Sequence, residues 1–218
     1  ICISYGGSMR FLSLALILGF VGCGDTPAEN DNEPRVDPEP APIAHQCTEF
    51  SDGNRPGDRI ANATFQNCLG ERIELHDTCG QYPLKVLAVS TVWCPACKSY
   101  LRSLTYDHQI SRGGWDYLIL VAQDASRSND ISLDECMVYA EELDADPAKV
   151  ALDPGFAATW MGGLIDICPN NGSISLPFMS ILDGWDHKYE YSKACNGSAE
   201  NGYTSWRAAF LGEIYEDG

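Results

Sequence analysis

The chain has 218 residues, and 31 acidic against 14 basic side chains leave a net charge of −17. That length suits one folded domain with appendages, and a hydrophobic share of 44% excludes a wholly disordered chain. The negative charge repels phosphate backbones and anionic lipid head groups, which argues against nucleic acid and against electrostatic membrane docking.

From Met9 the chain carries one positive charge at Arg10, an apolar run from Phe11 to Val21, and then Gly22 and Cys23. This is the pattern of a cleaved signal peptide, since the apolar run is roughly half the ~20 residues a spanning helix needs. Residues 1–8 match nothing in that pattern and read as a start codon assigned too early. The ending Phe20-Val21-Gly22-Cys23 resembles the bacterial lipobox, although a Leu is usual where Phe20 stands. That resemblance implies acylation of Cys23 and a mature protein beginning there. Residues 23–46 hold six acidic groups from Asp25 to Glu39 and five prolines from Pro27 to Pro42. Such a segment buries too little to fold and is expected to be an extended tether. The folded domain is expected over 47–218.

Thr64–Cys68 and Arg72–Leu75 flank Leu69-Gly70-Glu71 and predict a β-hairpin. Leu84–Val92 is a β-branched apolar run, expected of a buried central strand, and it leads directly into Trp93-Cys94-Pro95-Ala96-Cys97. Ala96–Arg112 has helical spacing, with Pro95 in the first turn and Gly113-Gly114 closing it. Tyr117–Ala122 predicts a second buried strand. Ser132 with Glu135 forms a capping box that opens a helix to Leu143. Lys149–Leu152 reads as a strand, and Asp153-Pro154 opens a brief helix to Trp160. Pro177–Leu182, the turn Asp183-Gly184 and 187–191 read as strand, turn and strand, and Thr204–Tyr215 as a final amphipathic helix. Alternating strands and helices predict an α/β domain with a central mixed sheet flanked by helices on both faces, extended at its N-terminus by the hairpin.

Trp93 to Cys97 after a buried strand, Asp153-Pro154-Gly155-Phe156, and Leu176-Pro177 before a later strand together resemble the thioredoxin superfamily. The likeness is to the TlpA and ResA group of anchored extracytoplasmic thiol-disulfide oxidoreductases, and it spans about residues 60 to 215. It implies a thioredoxin-like fold, a cis-proline at Pro177 opposite the cysteine pair, and contact of Trp93, Pro95, Leu176 and Pro177 with a bound partner segment. It also implies exchange with protein thiols and disulfides and with a redox partner protein, without a cofactor, by a monomer on the periplasmic or cell-surface side. One departure is Tyr100, where ResA-like members often carry a Glu.

The residues alone point the same way. A thiolate attacks disulfides, and a helix N-terminus supplies unpaired N–H groups and partial positive charge to stabilise one. Cys94 is therefore expected to be the nucleophile, with a pKa below the roughly 8.5 of free cysteine, and Cys97 the resolving thiol. Ten cysteines suit an oxidising compartment. Apart from Cys2, Cys23, Cys94 and Cys97, the remaining ones are Cys47, Cys68, Cys79, Cys136, Cys168 and Cys195, and position beside strands suggests Cys68–Cys79 and Cys168–Cys195 as structural bridges. The spacing contains no second metal-type pair, so no metal site is read, and His45, His76, His108 and His187 are taken as surface or capping groups. Two alternatives to exchange remain at this point. Thr91, three residues before Cys94, suits a peroxiredoxin-like peroxidase with Arg102 or Arg127 orienting peroxide, and a redox-inactive binding module would share the fold without the chemistry.

Overall fold

The computed structural model describes Cys47 and residues 51–127, 130–164 and 176–192. The expected signal peptide, Cys23, the tether, Cys168, Cys195 and the helix at 204–215 lie outside the described residues. Among the described residues seven strands form one sheet: β1 (Thr64–Asn67), β2 (Arg72–Glu74), β3 (Leu84–Ser90), β4 (Asp116–Val121), β5 (Val150–Leu152), β6 (Phe178–Asp183) and β7 (Tyr189–Ser192), in the order β2-β1-β5-β4-β3-β6-β7. β3, β4 and β5 run parallel, and every other neighbouring pair is antiparallel.

Two helices supply the parallel crossovers: α1 (Pro95–Ile110) joins β3 to β4, and α2 (Leu133–Glu142) joins β4 to β5. The strand order advances in one direction from β3 to β5, so right-handed crossovers bring both helices to the same face. There Leu101 and Leu104 of α1 and Tyr139 and Ala140 of α2 pack with Val86, Ala88, Ile119 and Val121. Leu87, Val89, Leu118 and Leu120 point to the other face, where Ile60, Phe65, Leu75, Phe178 and Tyr189 enclose them. Of the described residues, that second face is covered by irregular chain and by the segment 154–161, a 3-10 turn (Pro154–Phe156) running into a wide helical turn (Ala157–Met161). The brief helix expected at 153–160 takes this form because Gly155 and Phe156 both have positive φ.

β1 and β2 form the hairpin with Thr64 opposite Glu74, and Gly70, at φ 82°, turns the chain so that its N–H donates to the Asn67 carbonyl at 2.9 Å. The antiparallel register corrects the Cys68–Cys79 pairing. Cys68 sits at the turn, while Cys79 lies five residues beyond the open end of the hairpin, and each is bonded elsewhere. Cys68 is bonded instead to Cys136 on α2, with Cα atoms 5.2 Å apart, and Cys79 to Cys47, at 5.9 Å.

Candidate functional site

β3 ends at Ser90, two residues before the expected limit, because the Cys94 N–H turns back to the Thr91 carbonyl at 3.2 Å. Cys94 is the N-cap of α1, in extended geometry (φ −93°, ψ 99°), and Pro95 occupies the first turn, where a missing N–H costs nothing. The Cys97 N–H donates to Cys94 Sγ at 3.2 Å. The two cysteines form a disulfide in this structure. Cys94 retains 5% exposure and Cys97 none, so Cys94 is the member an incoming sulfur can reach. Pro95 and Ala96, both exposed, border it, and no acidic side chain stands in the first turn of α1 to oppose negative charge there.

Trp93 is fixed from the loop after β4. Its indole N–H donates to Gln123 Oε1 at 3.0 Å, the Val92 N–H donates to the Gln123 carbonyl at 3.0 Å, and the Arg127 guanidinium lies 4.6 Å from the ring centroid. Sequence reasoning missed Gln123, which carries no motif; its signal is only that it follows a buried strand parallel to β3. On the other side of β3, Phe178 pairs with Val89, which brings Leu176 and Pro177 beside the chain running into Cys94. Leu176 packs against the core cluster that contains Cys94, and the Leu176–Pro177 peptide is cis. The structure thus assembles Trp93, Cys94, Pro95, Cys97, Leu176 and Pro177 at one end of the sheet.

Of the residues of the peroxidase alternative, Arg102 is held away from the cysteine pair and Arg127 and Thr91 lie beside it in other contacts. Arg102 Nε donates to the Glu142 carbonyl at 2.6 Å on the outer side of α1, and Arg127 is stacked on Trp93. Thr91 Oγ1 is buried and has no hydrogen-bond partner among the described residues. Lys98, next to Cys97, is paired with Glu142 at 2.6 Å.

His76, His108 and His187 are partly or fully buried, not the surface groups expected; His45 lies outside the described residues. His108 stacks edge-on against Trp115 and Tyr117, at 5.1 and 4.8 Å between centroids. His187 is only 1% exposed and lies 5.2 Å from His76, ring to ring. Burial, reinforced by nearby Lys85 and His76, pushes the His187 imidazole down to about 3. A second group that sequence reasoning missed lies at the opposite end of the sheet from Cys94. There Asp116 accepts from Lys149 at 2.6 Å and from Thr78 at 2.6 Å, and pairs with Lys85 at 3.3 Å.

No family model matches the sequence, and no curated protein is significantly similar to it. Solved structures are similar in fold. An uncharacterized conserved protein from Geobacillus kaustophilus is 20% identical, with 76% of this chain and 85% of that one aligned at a TM-score of 0.54. A Bacteroides thetaiotaomicron protein assigned as a protein disulfide isomerase is 15% identical over 78% and 92% of the two chains, with a TM-score of 0.51. A Chlorobium tepidum protein assigned as the thiol:disulfide interchange protein DsbE is 15% identical over 73% and 97%, with a TM-score of 0.50. What is shared at these identities is the thioredoxin-like fold.

Proposed function

We propose that this thioredoxin-like protein is a thiol-disulfide oxidoreductase acting on exported proteins through Cys94 and Cys97. The observation that carries the reading is the placement of Cys94 Sγ at the start of α1, where it accepts the Cys97 N–H, while Cys97 is fully buried one turn inward. In the reducing direction, Cys94 thiolate attacks one sulfur of a substrate disulfide. A Cys94–substrate bond forms, the substrate bond breaks, and the departing sulfur takes up a proton. Cys97, as thiolate, then attacks Cys94 Sγ and releases the second substrate sulfur, closing the Cys94–Cys97 bond seen here. The substrate gains two electrons and two protons, and the pair loses them. The oxidising direction is the same sequence reversed.

The helix N-terminus stabilises the thiolate both as attacking and as leaving group. Trp93 and the chain at Leu176-Pro177 flank the reachable sulfur and supply apolar contact for a substrate segment. The test is a trapping experiment. Cys97→Ser should accumulate mixed disulfides with protein substrates, and Cys94→Ser should accumulate none and should not reduce insulin. Full activity of both variants would overturn the mechanism. The proposal extends to export, with the chain anchored through acylated Cys23 on the acidic tether. Among the described residues no helix is long and apolar enough to cross a membrane. Labelling with a radioactive fatty acid should mark the wild type and not Cys23→Ser.

A further inference from the structure

Beyond the exchange reaction, and independent of it, lies a cluster of chemically matched side chains at the other end of the sheet. Ligand atoms of Cys47, His76 and His187 all lie within 4.8 Å of one another. Cys79 Sγ is bonded to Cys47 Sγ and so lies beside this cluster, a fourth sulfur or nitrogen donor once that bond is opened. We propose that Cys47, Cys79, His76 and His187 form a redox-gated site for a zinc-class divalent cation, which binds once a dithiol has reduced the Cys47–Cys79 disulfide.

The donor set is the two-cysteine, two-histidine combination that suits tetrahedral zinc. His187 supplies the second observation. It is 1% exposed, and neither of its ring nitrogens has a hydrogen-bond partner among the described residues. A buried imidazole without partners is costly, and a metal bond would satisfy one of its two nitrogens. His76 Nε2 lies 3.2 Å from the Ile60 carbonyl. In the tautomer that donates there, this is the kind of bond that orients a ligating imidazole.

The backbone holds the histidines in place. Gly184 packs so closely that a Cβ there would collide with the Tyr82 carbonyl, and its N–H donates to the Pro83 carbonyl at 3.0 Å. The 183–188 turn is thereby pinned beside the start of β3, and His187, at φ 52°, donates its N–H to the Asp183 carbonyl at 2.8 Å. Cys94 follows the far end of β3, about 20 Å away along a seven-residue strand.

The chemistry balances. A dithiol reductant passes two electrons and two protons to the Cys47–Cys79 bond, becoming a disulfide itself. The two thiols formed release two protons on binding the cation. Two thiolates neutralise the divalent charge, as a partly buried site requires. The sulfurs must separate to about 3.8 Å, the spacing set by tetrahedral bonds of about 2.3 Å. Exchange with an oxidised dithiol, a disulfide that takes up the two electrons and, from water, two protons to become a dithiol, re-forms the Cys47–Cys79 bond, removes both thiolates and expels the metal.

The test uses the full chain carrying Cys94→Ser and Cys97→Ser, so that the exchange pair cannot compete. After reduction with dithiothreitol and its anaerobic removal, Co2+ is titrated and absorption followed. The expected result is one Co2+ per chain with tetrahedral d–d bands and a thiolate charge-transfer band, and none of these in the unreduced chain. In the same background His76→Gln and His187→Asn should each weaken binding by more than the ~10–100-fold that loss of an outer-shell partner costs. Asn tolerates the positive φ at 187. Should His187→Asn lose its circular dichroism signal, His76→Gln, at a half-buried position, decides alone. Absence of Co2+ binding after reduction would overturn the proposal, and so would affinity unchanged by the histidine replacements, which would place the metal on other freed thiols.

Discussion

At the scale of single residues, one pair of buried charges sits where two strands begin side by side. Lys85 and Asp116 are neighbours across β3 and β4 and are only 3% and 2% exposed. Burial alone would raise the Asp116 pKa, but Lys85 and Lys149, with hydrogen bonds from Lys149 and Thr78, outweigh it and hold the carboxyl below its ordinary value. A carboxyl depressed in the folded state contributes stability in full above its unfolded value of ~3.9 and loses it as the pH falls through the folded one. Urea unfolding midpoints should therefore drop as the pH goes below about 4, and Asp116→Asn should remove part of that dependence. At pH 7 the same variant should cost about 3–5 kcal/mol, because it leaves Lys85 buried without its counter-charge. An unchanged midpoint would show that solvent reaches the pair. This cluster had a sequence signature: Leu84-Lys85-Val86 and Trp115-Asp116-Tyr117 each place one charge at the start of an otherwise apolar strand. The two signatures are not linked in the sequence because only the sheet register brings them together.

At the scale of elements, α1 and α2 illustrate how locally coded and long-range features differ. The capping box of α2 was legible from four residues: Glu135 N–H donates to Ser132 Oγ at 3.3 Å, and Ser132 N–H to the Glu135 carboxylate at 3.1 Å. Ser132→Ala should lower stability by about 1 kcal/mol, measured by denaturant unfolding. The start of α1 at Cys94-Pro95 was equally legible, since a proline after a buried strand fixes both the stop and the start. The bridge from Cys68 to Cys136 was not, because it joins a hairpin turn to the buried face of a helix 68 residues further along the chain. Nothing in the spacing distinguishes that pairing from others. Loop-closure entropy for that length assigns the bridge about 4 kcal/mol, so Cys68→Ala with Cys136→Ala should lose up to that amount. A loss under about 1 kcal/mol would mean that packing of α2 on β4 and β5 already fixes the hairpin.

At the scale of the whole molecule, one sheet separates two chemistries. Strand β3 delivers Cys94 at its C-terminal end, where Trp93 and the cis Leu176–Pro177 peptide converge, and its N-terminal end adjoins the Lys85–Asp116 pair and the His76–His187 cluster. The first end was legible because a helix N-terminus, a cysteine pair and a proline before a strand are local signals with a physical reason. The second was not: His76 and His187 stand 111 positions apart, and only the pinned 183–188 turn brings them together. The central claim is that Cys94–Cys97 is the exchanging pair. Its most direct test is a glutathione redox titration of the full chain, with thiols alkylated at each potential and mapped by mass. The account predicts reversible opening of Cys94–Cys97 at a midpoint between about −120 and −270 mV, with Cys68–Cys136 resisting to below about −300 mV. A Cys94–Cys97 bond that stays closed throughout, or opens only together with Cys68–Cys136, would contradict it.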